Sequence, residues 1–179
     1  MKLRSNIVAT CLLATLFLPL AAVSGTSQAT IAFRGTSTLH DFEGVVVSQP
    51  FSMESGPDAQ RINATIVVHV ADMSTNHAKR DRNMFRMLEE ENHKLITGKL
   101  VDVDLPASGP IQSTIELTIR DTTRLVDATI EPLTTENGRS LKFAFTVSLN
   151  EYGLDAPSVL GIIRVGDAVQ IEGSFPLPD

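Results

Sequence analysis

The sequence predicts an all-β protein: an eight-stranded antiparallel sheet that closes on itself, with one short amphipathic helix between its third and fourth strands. Three observations predict it. Apolar residues recur at every second position over long runs, the period of a strand with one buried face. Turn-forming clusters separate those runs: Ser55-Gly56-Pro57-Asp58, Ala107-Ser108-Gly109-Pro110, Glu136-Asn137-Gly138 and Gly166-Asp167. A single stretch, Asn76 to Lys94, changes to helical spacing. Period two allows a two-sheet sandwich as well as a barrel.

The chain begins with a basic head, Lys2 and Arg4, followed by an uncharged run from Ile7 to Val23. Two small-x-small sites come next, Ala22-Val23-Ser24 and Ser27-Gln28-Ala29. This is the order of a secretory signal peptide, expected over residues 1–29, with a single domain over residues 30–179 exported to the periplasm. A retained membrane anchor is the other reading of so long an apolar run. Pro19 and the cleavage sites favour removal.

Removal takes away Cys11, the only cysteine, and with it disulfides, thiol catalysis and Cys-ligated zinc. It also takes two cations, which moves the net charge from −6 to −8. So acidic a domain is not expected to bind nucleic acid.

Strands are expected at Ile31–Ser37, Phe42–Met53, Gln60–Ala71, Lys94–Leu105, Ile111–Asp121, Thr123–Thr134, Arg139–Asn150 and Ala168–Pro176, with a brief extra one at Gly161–Val165. The alternation is plainest in three of them. Ile62, Ala64, Ile66, Val68 and Val70 share one face, as do Ile111, Ser113, Ile115, Leu117 and Ile119. Leu141, Phe143, Phe145, Val147 and Leu149 repeat the pattern. An eight-stranded barrel is just wide enough to be filled by side chains or to hold one small ligand.

Within the helical stretch, Asn76 is the expected N-cap, and Met84, Phe85, Met87 and Leu88 form a narrow apolar stripe. That stripe is too short to stabilise a helix alone, so it must dock on the β body. The charges run against the helix dipole: Lys79, Arg80, Arg82 and Arg86 come first, Glu89, Glu90 and Glu91 last. A solvated face with Arg86 paired to Glu90 accounts for this, and so does a basic collar at an opening that holds a polar head group.

Motifs of catalysis are missing. His40, His69, His77 and His93 match no zinc spacing, and there is no G-x-S-x-G, P-loop or dinucleotide-binding glycine pattern. Asp102 and Asp104 share one strand face without a water-positioning partner, a poor glycosidase pair. The expectation is no enzyme, no cofactor and no metal.

Four stretches carry more information. They are Gly35-Thr36-Ser37-Thr38-Leu39-His40-Asp41-Phe42-Glu43-Gly44, Arg80-Asp81-Arg82-Asn83-Met84, Tyr152-Gly153-Leu154-Asp155-Ala156-Pro157, and the run from Gly161 to Ile171. In this order they resemble the YceI-like family of exported bacterial proteins. The resemblance implies an elongated, lipocalin-like eight-stranded barrel with a helix packed at one end. It further implies a polyisoprenoid or similar long apolar chain held inside. One departure stands out: where many relatives follow the helix with Tyr-Pro-x-Ile-x-Phe, this chain has His93 to Gly98, so Gly98 replaces a large aromatic residue.

The expected function is therefore a periplasmic carrier of a long-chain isoprenoid or other lipid, with at most transient membrane contact and a homodimer as one possible assembly. Expected ligand-binding residues on the strands are Phe33, Val46, Ile66, Val68, Ile115, Leu117, Phe143, Phe145 and Ile171. Met84, Met87 and Leu88 close one end, and Arg80 or Arg82 meets the polar head. His40, Asp41 and Asp81 are expected to fix the local turn and helix. The alternative is a filled barrel that acts through its surface as a stress or assembly factor, without ligand.

Overall fold

Period-two runs become strands because every second side chain then lies on one face. In the computed structural model, which describes residues 26–55, 61–105, 108–135, 138–156, 158–159 and 163–177, they form one antiparallel sheet. The strands are β1 (Thr26–Ser27), β2 (Thr30–Ser37), β3 (Phe42–Val47), β4 (Phe51–Ser55), β5 (Arg61–His69), β6 (Leu95–Asp104), β7 (Ile111–Ile119), β8 (Thr122–Thr135), β9 (Gly138–Ser148), β10 (Ser158–Val159) and β11 (Ile163–Pro176). The helix α1 (Ala78–Met87) lies between β5 and β6. Hydrogen bonding runs β1-β4-β5-β6-β7-β8-β9-β11-β2-β3, with β10 paired to β11.

The count is eleven, not the expected eight. The expected strand Phe42–Met53 is broken at residues 48–50 into β3 and β4. Pro50 brings no N–H to a ladder there, and Ser48 turns inward to bond Ala29. Two short strands, β1 and β10, add the rest. The expected last strand also starts earlier, at Ile163, and absorbs a bulge between Val165 and Val169. Residues 1–25 of the expected signal peptide, the turn residues 56–58, 106–107 and 136–137, and Gly161 and Ile162 lie outside the described residues.

The sheet is strongly curled. β3, one end of the strand order, pairs with β2, while β4, next to the other end, pairs with β5; β3 and β4 are consecutive in the chain, so the order turns back on itself. Val45 and Ser74 exchange N–H···O bonds of 2.8 and 3.0 Å, and Gln49 N donates to Val67 O at 2.7 Å. These bonds draw β3 onto the segment that leaves β5.

The helix is shorter than its sequence pattern. His77, not Asn76, is the N-cap, and its Nδ1 accepts from Arg80 N at 3.4 Å. Asn76 instead takes a left-handed φ of 57° just before it. At the other end, Glu89 has a left-handed φ of 51° and stops the helix. The acids Glu89 to Glu91 thus lie beyond the C-cap Leu88, so the reversed charge order is not carried by one helix. Arg86 bonds Asn83 rather than Glu90, and Glu89 reaches Arg120 at 2.6 Å.

The concave side holds two apolar clusters. The far cluster, away from α1, is built on Phe51, Ile62, Ile130, Leu141, Phe143 and Phe175. The helix-end cluster is built on Val70, Leu88, Leu117, Ile119, Val147, Leu149, Tyr152 and Leu154. Between the strands a recurrent cross-strand pairing appears: Phe33 opposite Gly44, Phe42 opposite Gly35, and Phe143 opposite Gly173. In each pair the ring lies where a Cβ on the glycine would stand.

Candidate ligand-binding site

The interior is not filled evenly. A cavity of about 410 Å³ lies at the helix end, and one of about 110 Å³ lies deeper against the strands. Six residues line both: Phe33, Met73, Ile96, Ile119, Val147 and Ile171. The two spaces therefore adjoin.

Alternation fixes which side chains reach them. Phe33, Val46, Ile66, Val68, Ile115 and Leu117 line the deeper cavity, as do Phe143, Phe145 and Ile171. Met84, Met87 and Leu88 line the outer one from the helix. The sequence-based list of ligand-binding residues omits several others. Ile96, Ile119 and Val147 lie on the inward faces of their strands, where period two could have found them. Met73 could not be found this way, since it lies in the link between β5 and α1.

The outer cavity has a polar rim of Ser37, His40, Thr75, His77, Lys79, Arg80 and Asn83, and among the described residues no carboxylate lines it. Arg80 is half-buried and its guanidinium sits 5.4 Å from the Phe42 ring centroid, a cation–π contact. One of its terminal nitrogens donates to Thr75 O at 3.0 Å, while its Nε is buried without a hydrogen-bond partner. Among the described residues Arg80 makes no ion pair. A buried donor without an acceptor costs free energy that an arriving acceptor recovers. Arg82 is exposed and does not line the cavity.

The neighbouring motif residues hold this rim in place. Asp81 accepts from Thr75 N at 2.9 Å and from the Thr75 hydroxyl, which ties the entry of α1 to its first turn. Ser37 Oγ donates to His40 O at 2.7 Å, and Asp41 Oδ1 accepts from Ser37 N at 3.4 Å. His40 thus sits in a bonded turn while its side chain borders the cavity. His93 lies elsewhere, between Glu89 and Asp121. Among the described residues no three His, Cys, Asp or Glu side chains gather as metal ligands would.

Two further groups brace the helix end. Asp167 accepts from Ser148 Oγ at 2.6 Å and from Asn150 N at 2.7 Å, bonds that hold its carboxyl below the usual carboxylate range. Tyr152 is buried in the helix-end cluster, and its burial pushes the phenol up.

Comparisons with known proteins bear on the family and the fold. Residues 22–176 match the family model described as YceI-like domain. No curated protein matches the sequence. Among solved structures, Burkholderia cenocepacia BcnA is similar at TM-score 0.66 and 13% identity, over 82% of this chain and 94% of that one. A polyisoprenoid-binding domain from Saccharophagus degradans, implicated in plant cell wall breakdown, is similar at TM-score 0.61 and 14% identity, over 87% and 99% of the two chains. The Campylobacter jejuni YCEI protein follows at TM-score 0.51 and 13% identity, over 68% and 75%. At these identities the structural likeness speaks for the fold. With the family model matched from residue 22 to residue 176, the chain belongs to the YceI-like family.

Proposed function

We propose that this protein is a non-enzymatic, periplasmic carrier that holds the long apolar chain of an isoprenoid or similar lipid inside a closed barrel. The observation that carries this reading is the apolar interior cavity adjoining a mouth whose only charged lining residues, among the described residues, are the cations Lys79 and Arg80. Burying an apolar tail is worth about 0.8 kcal/mol per methylene, so an open interior supplies affinity without motif chemistry. Arg80 receives the polar head, since among the described residues its Nε has no acceptor and no carboxylate neutralises it. The polyisoprenoid-binding description of the Saccharophagus degradans domain supports the ligand class.

Native mass spectrometry and organic extraction of protein purified from its own host test the proposal. A co-purifying lipid is expected. Nothing extractable, together with no saturable binding of isoprenoid alcohols, would remove it. Arg80→Gln is expected to weaken a ligand with an anionic head about tenfold, the worth of one charge-assisted hydrogen bond.

Export follows from the basic head and apolar run of residues 1–23. Of the two cleavage sites, Ala22-Val23-Ser24 is favoured. Ser27 Oγ donates to Pro176 O at 2.9 Å and Ala29 is fully buried in the far cluster, so processing after Ala29 would remove core contacts. Intact mass of the exported protein decides between the two sites.

A further inference from the structure

The glycines of the curled sheet fall into two kinds. Gly35, Gly44 and Gly173 each lie under a phenylalanine ring of the opposite strand, and any side chain there would collide with it. Gly98 is different. It sits mid-strand in β6 between the inward-facing Ile96 and Leu100, opposite Ile66 on β5 and Leu117 on β7. A Cβ built on Gly98 would point into the deeper cavity and would meet only Ile115 Cγ2, at an ordinary 3.7 Å. No ring covers it and no turn requires it: its φ lies outside the left-handed region.

A glycine inside a strand is destabilising relative to alanine, and an uncovered one at an inward position leaves a side chain's worth of space. Immediately beyond it the interior is packed, with Leu100 fully buried and Phe143 laid over Gly173. We infer that Gly98 determines how deep a ligand tail reaches, and hence which chain lengths the protein prefers. The missing side chain at 98 is the inner chamber, and Leu100, Ile115 and Phe143 are its floor. This rests on the carrier reading above.

The test is a graded series of geranyl, farnesyl and geranylgeranyl alcohols, each measured by displacement of a fluorescent apolar probe. Wild type and two variants, Gly98→Ala and Gly98→Leu, are compared. Filling the chamber with Leu excludes about two methylenes of tail, so affinity for alcohols long enough to reach it falls about tenfold. The shortest alcohol is bound nearly as before. Gly98→Ala shifts the same preference in the same direction by less, and it unfolds at a higher temperature than wild type, because Ala fits the space and suits the strand better. That pairing of a more stable fold with a changed length preference is the expected result.

An unchanged length preference in both variants, or a loss uniform across the series, overturns the inference and leaves the carrier reading standing. Wild type that binds no member of the series instead counts against the carrier reading. If Gly98→Leu does not fold, the Gly98→Ala preference alone decides.

Discussion

The two ends of the interior are built from the same alternating strands and reach opposite outcomes. At the far end, Phe51 meets Phe175 edge-on at 5.3 Å between ring centroids, and Phe143 lies 6.2 Å from Phe175. Phe175, Ile62, Ile130 and Leu141 have at most 2% of their surface exposed. Toward the helix end, Phe33 and Phe145 are set among aliphatic residues, Gly98 and methionines, and space remains. Period two decides which side chains point inward; their volumes decide whether the inside is solid. Packed phenylalanines give rigid, void-free contact, whereas methionines fill space adaptably and re-pack around what enters. One half of the curled sheet is a packed foundation, and the other keeps open space.

Four measurements sharpen or break this contrast. Phe175→Ala in the foundation is expected to cost about 3–5 kcal/mol of stability by denaturant unfolding. Met84→Ala and Met87→Ala, which already border open space, are each expected to cost about 1 kcal/mol or less. Equal costs at the two ends would dissolve the distinction. Gly98→Ala is expected to raise stability by about 0.4–1 kcal/mol, since its backbone suits alanine and the added Cβ meets only an ordinary contact.

The smallest effect concerns acid. The bonds from Ser148 and Asn150 depress the Asp167 carboxyl in the folded protein below its unfolded value. Its stabilisation is therefore present above the unfolded carboxylate pKa and is lost as pH falls through the lower, folded value. Asp167→Asn is expected to flatten that acid-side slope in stability measured against pH. A slope identical to wild type would show that Asp167 does not brace the helix end.

Much of this was legible in the sequence. The inward residues of β5, β7 and β9 follow from alternation, because a one-residue slip would put Ile66, Leu117 or Phe143 in water. The break between β3 and β4 was signalled by Pro50, which a continuous paired strand does not tolerate. The end of α1 was not signalled. Glu89 is a good helix former, yet it takes a left-handed backbone just past the C-cap, with its side chain paired to Arg120 from a distant strand end. The meaning of Gly98 was hidden for a related reason. Nothing local distinguishes a glycine under a phenylalanine ring from one facing a void; only the opposite strand does.

The helix itself has no fully buried residue, although its apolar stripe borders the outer cavity. Such an element is expected to open at a fraction of the global unfolding free energy, before the ladders on either side. Affinity and traffic then have separate owners. In the carrier proposed above, the strands would set how tightly a tail is held at equilibrium, and α1 would set how fast it comes and goes. Amide exchange across Ala78–Met87 should run faster than in β7 and β9, and a bound lipid should slow it.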